Sequence, residues 1–512
     1  MIEPKLINAY NATRAIKATE KLCHAPFVNM NFEQNGDVTA CCFNRTHVLG
    51  SYPKTSLVDI WFSSKADELR NYINANDLGG GCEICAKQLL AHNFMGSRAR
   101  GFDENASGKW ENIPEKLRNK LKHGQWQKMP SSMEFELSNT CNLECVMCHG
   151  YFSSTIRKNR EHLPPIHQPY DGGFVEQLKS FLPYLQEAKF LGGEPFLIDI
   201  YYQIWEAIAE VNPNINIYIT TNATVYNNKV RALLNRLKVN PVISIDSLVE
   251  GTYNVIRKNA SFIRVMENVG QLRAYCQEKG TQLSFAVCPM TLNKDELPAM
   301  MQYANKEGIR LFFNTVFQPE IYSLKFLPVD ELESLIDLYK RTSLPNDTEI
   351  ARHNASVFND LVNQLEAWLV QAQSKPFKIS PNTFEHWSSI KASVMAEPWQ
   401  INMCETTLAH LNNNSGTALE QQLEQILAQQ GAQQFVMAYF EQLEWLYTSF
   451  TGKESEELKD KMLTLKSILT PELRYEFIAS ELIRMRPDQL LETIMEFSTE
   501  RLLHEVNVRF NS

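Results

Sequence analysis

Three cysteines fall within one short stretch, Leu137 to Gly150, which reads LSNTCNLECVMCHG. Cys141, Cys145 and Cys148 are spaced CxxxCxxC. They follow an alternating run, Met133-Glu134-Phe135-Glu136-Leu137, that predicts a strand. Thiolates clustered at a strand end in a reducing compartment are expected to bind metal, and a centre that wants four ligands then keeps one position open. Structural zinc would recruit a fourth protein ligand. His149 adjoins the third thiol, but an adjacent side chain usually points elsewhere, so an iron–sulfur cubane with one free iron fits better. The next strand reads Lys189-Phe190-Leu191-Gly192-Gly193-Glu194-Pro195-Phe196. Gly192 and Gly193 let backbone approach a ligand closely, and Glu194 can accept hydrogen bonds from an ammonium group.

A second group of thiols, Cys23, Cys41, Cys42, Cys82 and Cys85, precedes the first. Phe27 to Phe32 alternates, Gln34-Asn35-Gly36-Asp37 is turn chemistry, and Val38 to Cys42 resumes a strand. The expected hairpin sets Cys23 before its first strand and Cys41 and Cys42 at the end of its second. A helix is expected from Ser56 to Asn74. Gly79-Gly80-Gly81 then leads into Cys82-Glu83-Ile84-Cys85, a CxxC knuckle that can turn both sulfurs toward one metal. A zinc knuckle of four cysteines is the rival reading.

Together with Ile219-Thr220-Thr221-Asn222-Ala223-Thr224 and Ile243-Ser244-Ile245-Asp246-Ser247, the two later motifs resemble the radical S-adenosylmethionine (SAM) superfamily over roughly residues 131–320. The resemblance implies that Cys141, Cys145 and Cys148 hold a 4Fe-4S cluster whose fourth iron binds SAM. It implies that Gly192, Gly193 and Glu194 line the site of the methionyl amino group, that Ser244 and Asp246 fall at the ribose, and that Thr224 and Arg257 make polar contacts, the carboxylate included. Met147 stands where an aromatic residue often packs on the adenine, and a thioether can fill that space. The spacing of Cys23, Gly36, Cys41 and the Cys82/Cys85 pair resembles the auxiliary-cluster domain called SPASM, or twitch in its one-cluster form. That implies one auxiliary 4Fe-4S cluster on Cys23, Cys41, Cys82 and Cys85, with Cys42 as an alternative to Cys41. The domain usually follows the barrel; here it precedes it.

The elements that must position these residues read as strands at 133–138, 187–191, 215–220, 241–246, 281–287 and 309–314, with helical patterns between them. About 190 residues is short of the ~250 of a full eight-fold barrel, so a partial (β/α)6 TIM-like barrel is expected. The expected division is an auxiliary-cluster domain of hairpin and helix at 1–100, a linker at 101–130 with some helix from Pro114 to His123, the barrel at 131–328, a helical extension at 329–415 and a helical region at 416–512. Asn412 to Gly416 is the expected linker into the last region, and Thr470-Pro471 a turn within it. Glu136, Asn139, Thr220 and Asn222 stand inward at strand ends and serve either substrate or structural hydrogen bonds. Cys276, Cys288 and Cys404 read as buried thiols, with Cys288 near the barrel mouth.

The chain has 512 residues, 44% hydrophobic and 21% charged, with net charge −9. That balance argues against nucleic-acid binding through a simple basic face. The start has no signal-peptide pattern and no stretch spans a membrane, so a cytoplasmic protein is expected. The resemblance implies an oxidoreductase that cleaves SAM to a 5′-deoxyadenosyl radical and abstracts substrate hydrogen. A ribosomally made peptide is the expected substrate and flavodoxin or ferredoxin an expected electron donor. The alternatives are oxidation of a small alcohol or sugar-like metabolite, and a non-catalytic iron–sulfur or zinc scaffold.

Overall fold

The computed structural model describes residues 2–15, 18–104, 129–374, 397–412, 416–451, 456–468 and 475–510. Its strands are β1 (Asn29–Glu33), β2 (Asp37–Thr39), β3 (Gly50–Ser51), β4 (Ser132–Glu136), β5 (Glu187–Phe190), β6 (Asn216–Thr221), β7 (Val239–Ser244), β8 (Ser284–Val287) and β9 (Arg310–Phe313). They form one sheet in the order β3-β2-β1-β4-β5-β6-β7-β8-β9. From β4 to β9 every neighbouring pair is parallel. These are the six strands of the expected partial barrel. Helices such as Asp199–Val211 and Phe262–Lys279 connect them, as parallel pairing requires.

The hairpin is part of the same sheet. β1 and β2 pair antiparallel, and β1 continues the barrel by pairing parallel with β4, Asn29 opposite Ser132 through Glu33 opposite Glu136. The sheet therefore crosses the boundary expected at residue 100. Alternation sorts the two faces. Met30, Phe32, Met133, Phe135, Ala188 and Phe190 enter the main core, where Phe32, Phe135 and Phe190 stack at centroid distances of 5.4 and 4.9 Å. Burying each such ring contributes roughly 1.5–3 kcal/mol. The alternate positions on the other face are polar: Asn29, Asn31, Glu33, Glu134, Glu136, Glu187 and Lys189.

The far edge is protected. Asn354 accepts from the Leu311 N–H at 2.8 Å and donates to Ile309 O at 2.9 Å, so the helix Glu349–Gln373 covers the strand that would otherwise expose its backbone. The helix expected from Ser56 to Asn74 is two helices, Leu57–Trp61 and Ser64–Asn74. The break has a local cause: Ser63 leaves helical geometry to cap the second helix, accepting from the Ala66 N–H at 3.1 Å.

The chain divides into two compact units, residues 1–369 and 370–512. In the second, every element found among the described residues is helical, from Pro398–Asn412 to Thr499–Phe510, around Phe435, Leu443, Met462 and Leu491. The helix expected at Pro114 to His123, the centre of the linker Asn412 to Gly416, and the turn Thr470-Pro471 lie outside the described residues. Among the described residues no helix is long and apolar enough to cross a membrane.

Candidate active site

Beyond β4 the chain turns into the loop that carries Cys141, Cys145 and Cys148. Neighbouring polar groups hold it. Cys141 N–H donates to Ser154 Oγ at 3.1 Å, and Ser153 Oγ donates to Leu143 O at 2.7 Å. Asn139 donates to Gly150 O at 2.8 Å, so this inward residue is engaged in fixing the loop. Burial raises all three thiols, Cys141 to about 11. For Cys148 the nearby Cys145 and Cys141 add to it. Three neighbouring thiols, Cys145 buried and Cys141 and Cys148 half-buried, suit a cluster ligated by sulfur, and ligation would release their protons.

The glycines of GGEP face this loop closely. Gly192 and Gly193 have φ of +74° and +40°, and a Cβ on Gly193 would stand 2.2 Å from Thr140 O. The approach that requires glycine is thus to the protein's own cluster loop. Glu194 N–H donates to Thr140 O at 2.7 Å, tying the two motifs together. The Glu194 carboxylate is fully buried. It accepts from Thr221 Oγ1 at 2.7 Å, Asn222 N–H at 2.7 Å and Phe196 N–H at 3.2 Å. Burial outweighs these bonds and raises it to about 7.

Asn222 donates to Asn142 Oδ1 at 3.1 Å, with Cys141 Sγ 4.0 Å away. Thr224 Oγ1 donates to Asn222 Oδ1 at 2.6 Å and accepts from Asn142 at 2.9 Å. Ser244 and Thr220 are half-buried at neighbouring strand ends. Met147 joins a small apolar cluster with Ile256, Met290, Val316 and Cys288. Asp246 and Arg257 are buried against each other, Nε to Oδ2 at 2.8 Å, and Arg257 Nη1 reaches Cys145 Sγ at 3.9 Å. These two residues pair with each other beside the thiol loop.

The amino-terminal thiols separate into two environments. Cys23, Cys41 and Cys85 share one buried cluster, with Cys82 packed against it. Burial and the neighbours Cys41, Cys82 and Cys85 raise Cys23; burial, Cys41 and Cys85 raise Cys82. Cys42 stands apart from this set. Its N–H donates to Glu134 Oε2 at 3.3 Å, and the ionic groups around it are Arg98, Glu136, Cys41 and Arg45. Four thiols that act on one another in this way suit a thiolate-ligated cluster, with the Asp77 carboxylate acting on Cys82 as well. Among the described residues, no three His, Cys, Asp or Glu side chains close around a single ion.

Sequence reasoning missed a buried ionic bridge between the thiol regions. Arg45 pairs with Glu33 at 3.1 Å and with Glu136 at 2.7 Å, and Arg98 pairs with Glu134. Tyr151 OH, just beyond Cys148, donates to Glu33 at 3.2 Å. One guanidinium between two carboxylates leaves a surplus negative charge. Burial, with Glu136 adding, accordingly raises Glu33 to about 7 against the pull of Arg45. The polar alternation of β1 and β4 was the signal available in sequence.

Residues 135–304 match the radical SAM superfamily, and residues 23–86 match SPASM, the iron–sulfur cluster-binding domain. GTP 3′,8-cyclase of Clostridium botulinum strain Hall is 23% identical over 233 residues, covering 46% of this chain and 66% of that protein. The enzyme of the same description from Limosilactobacillus fermentum is 25% identical over 232 residues, covering 43% and 65%. The chain thus spans just under two thirds of the length of these relatives. Among solved structures, anSMEcpe with bound AdoMet aligns at 16% identity and TM-score 0.32, over 41% of this chain and 57% of that one. Streptococcus suis SuiB bound to precursor peptide SuiA aligns at 17% and 0.33, over 45% and 52%. The first domain implies a 4Fe-4S cluster that binds SAM, and the second implies auxiliary iron–sulfur binding. The chain carries a radical SAM domain, and a SPASM iron–sulfur cluster-binding domain stands ahead of it in the sequence.

Proposed function

We propose that this chain is an oxidoreductase that cleaves SAM reductively and abstracts hydrogen from a peptide substrate, in the cytoplasm, with flavodoxin or ferredoxin as electron donor. The observation that carries the reading is the joining of the thiol loop to GGEP, through Glu194 N–H on Thr140 O at 2.7 Å. Cys141, Cys145 and Cys148 are the ligands of the SAM-binding cluster. When bound, the reduced cluster supplies one electron to the sulfonium, breaking a carbon–sulfur bond to give the 5′-deoxyadenosyl radical. Gly192 and Gly193 bring backbone to the methionyl end, and Glu194 offers the remaining lone pair of Oε2 to the amino group. Met147 supports the adenine from its apolar cluster. Ser244, at the end of β7, and Thr224, beyond β6, would contact the ribose and polar tail, as would Asp246 and Arg257. Cys23, Cys41, Cys82 and Cys85 would hold one auxiliary cluster, which would supply an acceptor for the substrate's second electron or a site for substrate.

The peptide substrate is what the resemblance to SPASM-bearing radical SAM enzymes implies, and the SPASM match supports the auxiliary cluster that goes with it. The similarity to proteins named GTP 3′,8-cyclase favours a second reading, a small-molecule substrate. Anaerobic reconstitution, reduction and assay for 5′-deoxyadenosine test the shared chemistry. Production of 5′-deoxyadenosine is expected; its absence under strict reduction sinks both readings and leaves a metal-binding scaffold.

A further inference from the structure

The chain segment around Arg257 is built onto the thiol loop. Val146 N–H donates to Ile256 O at 2.9 Å and Glu144 N–H to Lys258 O at 3.1 Å, so Cys145 is bracketed by two main-chain bonds. The Glu144 carboxylate adds bonds from Asn259 at 2.9 Å and Asn159 at 3.1 Å. This clamp delivers one side chain to the sulfur: Arg257 Nη1, 3.9 Å from Cys145 Sγ. Arg257 is aimed from behind by Asp246, 2.8 Å from its Nε. Asp246 is itself fixed by the Cys288 N–H on Oδ1 at 2.8 Å and by Asn293, which donates to its carbonyl at 2.7 Å.

We propose that Arg257, oriented by Asp246, is a positioning residue that tunes the reduction potential of the SAM-binding cluster through the Cys145 sulfur, a role that rests on the ligand set proposed above. The pair is a dipole with its positive end at the sulfur. Charge and hydrogen bonds at ligating sulfurs are among the groups that set cluster potentials. Reduction adds one electron to the centre, and a buried cation beside it stabilises that added charge. Asp246 sits on the far side of the guanidinium, so its charge trims the effect. Removing the cation and removing its counter-charge should therefore act in opposite directions.

The test uses the full chain, reconstituted anaerobically, with redox titration followed by electron paramagnetic resonance. The relevant cluster is identified as the one whose signal changes when SAM is added. R257M should shift its midpoint negative by at least about 59 mV, a tenfold change in the reduced-to-oxidised ratio for one electron. D246N keeps an acceptor for the Cys288 N–H and should shift the midpoint positive. R257K should move it less than R257M does.

An unchanged midpoint in R257M overturns the proposal, as do shifts of the same sign in R257M and D246N. So does a loss of SAM affinity at unchanged potential, which would place Arg257 on SAM itself. If R257M retains less than half the wild-type iron, R257K is compared with D246N instead; failure of both Arg257 variants to hold iron overturns tuning in favour of a purely structural clamp. A wild-type chain with no SAM-responsive signal overturns the proposed function, and this role with it.

Discussion

Cys145 and Cys82 are chemically identical, and their neighbours give them different expected roles. Cys145 has Arg257 beside it in the loop joined to GGEP, whereas Cys82 accepts from Asn44 at 3.3 Å and shares its pocket with Cys41 and Cys85. Cys145→Ala should reduce 5′-deoxyadenosine formation to the level of a protein-free control. Cys82→Ala should retain part of it while iron content falls, with chromatography and iron analysis as the measurements. Equal loss in both variants would merge the two roles or make Cys82 essential to folding. Glu194→Gln removes the charge behind three buried bonds. Bonds to charged groups contribute about 1.5–3 kcal/mol, so SAM should bind roughly 10- to 100-fold more weakly in calorimetry.

Two elements carry separable predictions. The GGEP turn has no room for a side chain at Gly193, where φ is +40° and Thr140 O would meet a Cβ at 2.2 Å. Gly193→Ala should cost about 1–3 kcal/mol of local strain, read as faster loss of iron from the thiol loop on dilution. The joint of β1 to β4 makes stability depend on pH. Glu33 is raised to about 7 from 4.5. Below 4.5 it is protonated in both folded and unfolded states. Between 4.5 and 7 the unfolded chain releases its proton first, so folding stability declines across that window and levels off above it. That rise corresponds to a ceiling of roughly 3 kcal/mol. The melting temperature should therefore fall from pH 5 to pH 8, and the fall should be smaller in Glu33→Gln. An equal fall in the two proteins would remove Glu33 as its source.

At the scale of the molecule, every proposed cluster ligand belongs to the unit of residues 1–369, while residues 370–512 have a core of their own. A chain ending after Ser374 should keep the iron content and SAM cleavage of the whole protein. For two cubanes that content is about eight iron and eight sulfide per chain. Four iron with one zinc would instead make the amino-terminal site structural.

Much of the site was legible because its spacing is local. CxxxCxxC, GGEP and CxxC each place their groups within a single loop or turn, and period-two and helical patterns located all six barrel strands. Other features depend on partners far apart in the chain. Cys41 and Cys42 adjoin in sequence, yet of the two only Cys41 packs with Cys23 and Cys85, while the Cys42 N–H donates to Glu134 across 92 residues. The Arg45 bridge to Glu136 spans 91 residues and the Arg257 contact with Cys145 spans 112. The sequence by itself determined which residues could ligate, which strands would form and in what order. The tertiary structure decided which thiol of an adjacent pair joins its neighbours, which charges bury each other, and that the amino-terminal hairpin extends the barrel sheet. Local spacing is a property of the chain, but burial and charge pairing exist only once distant segments share a face of the sheet.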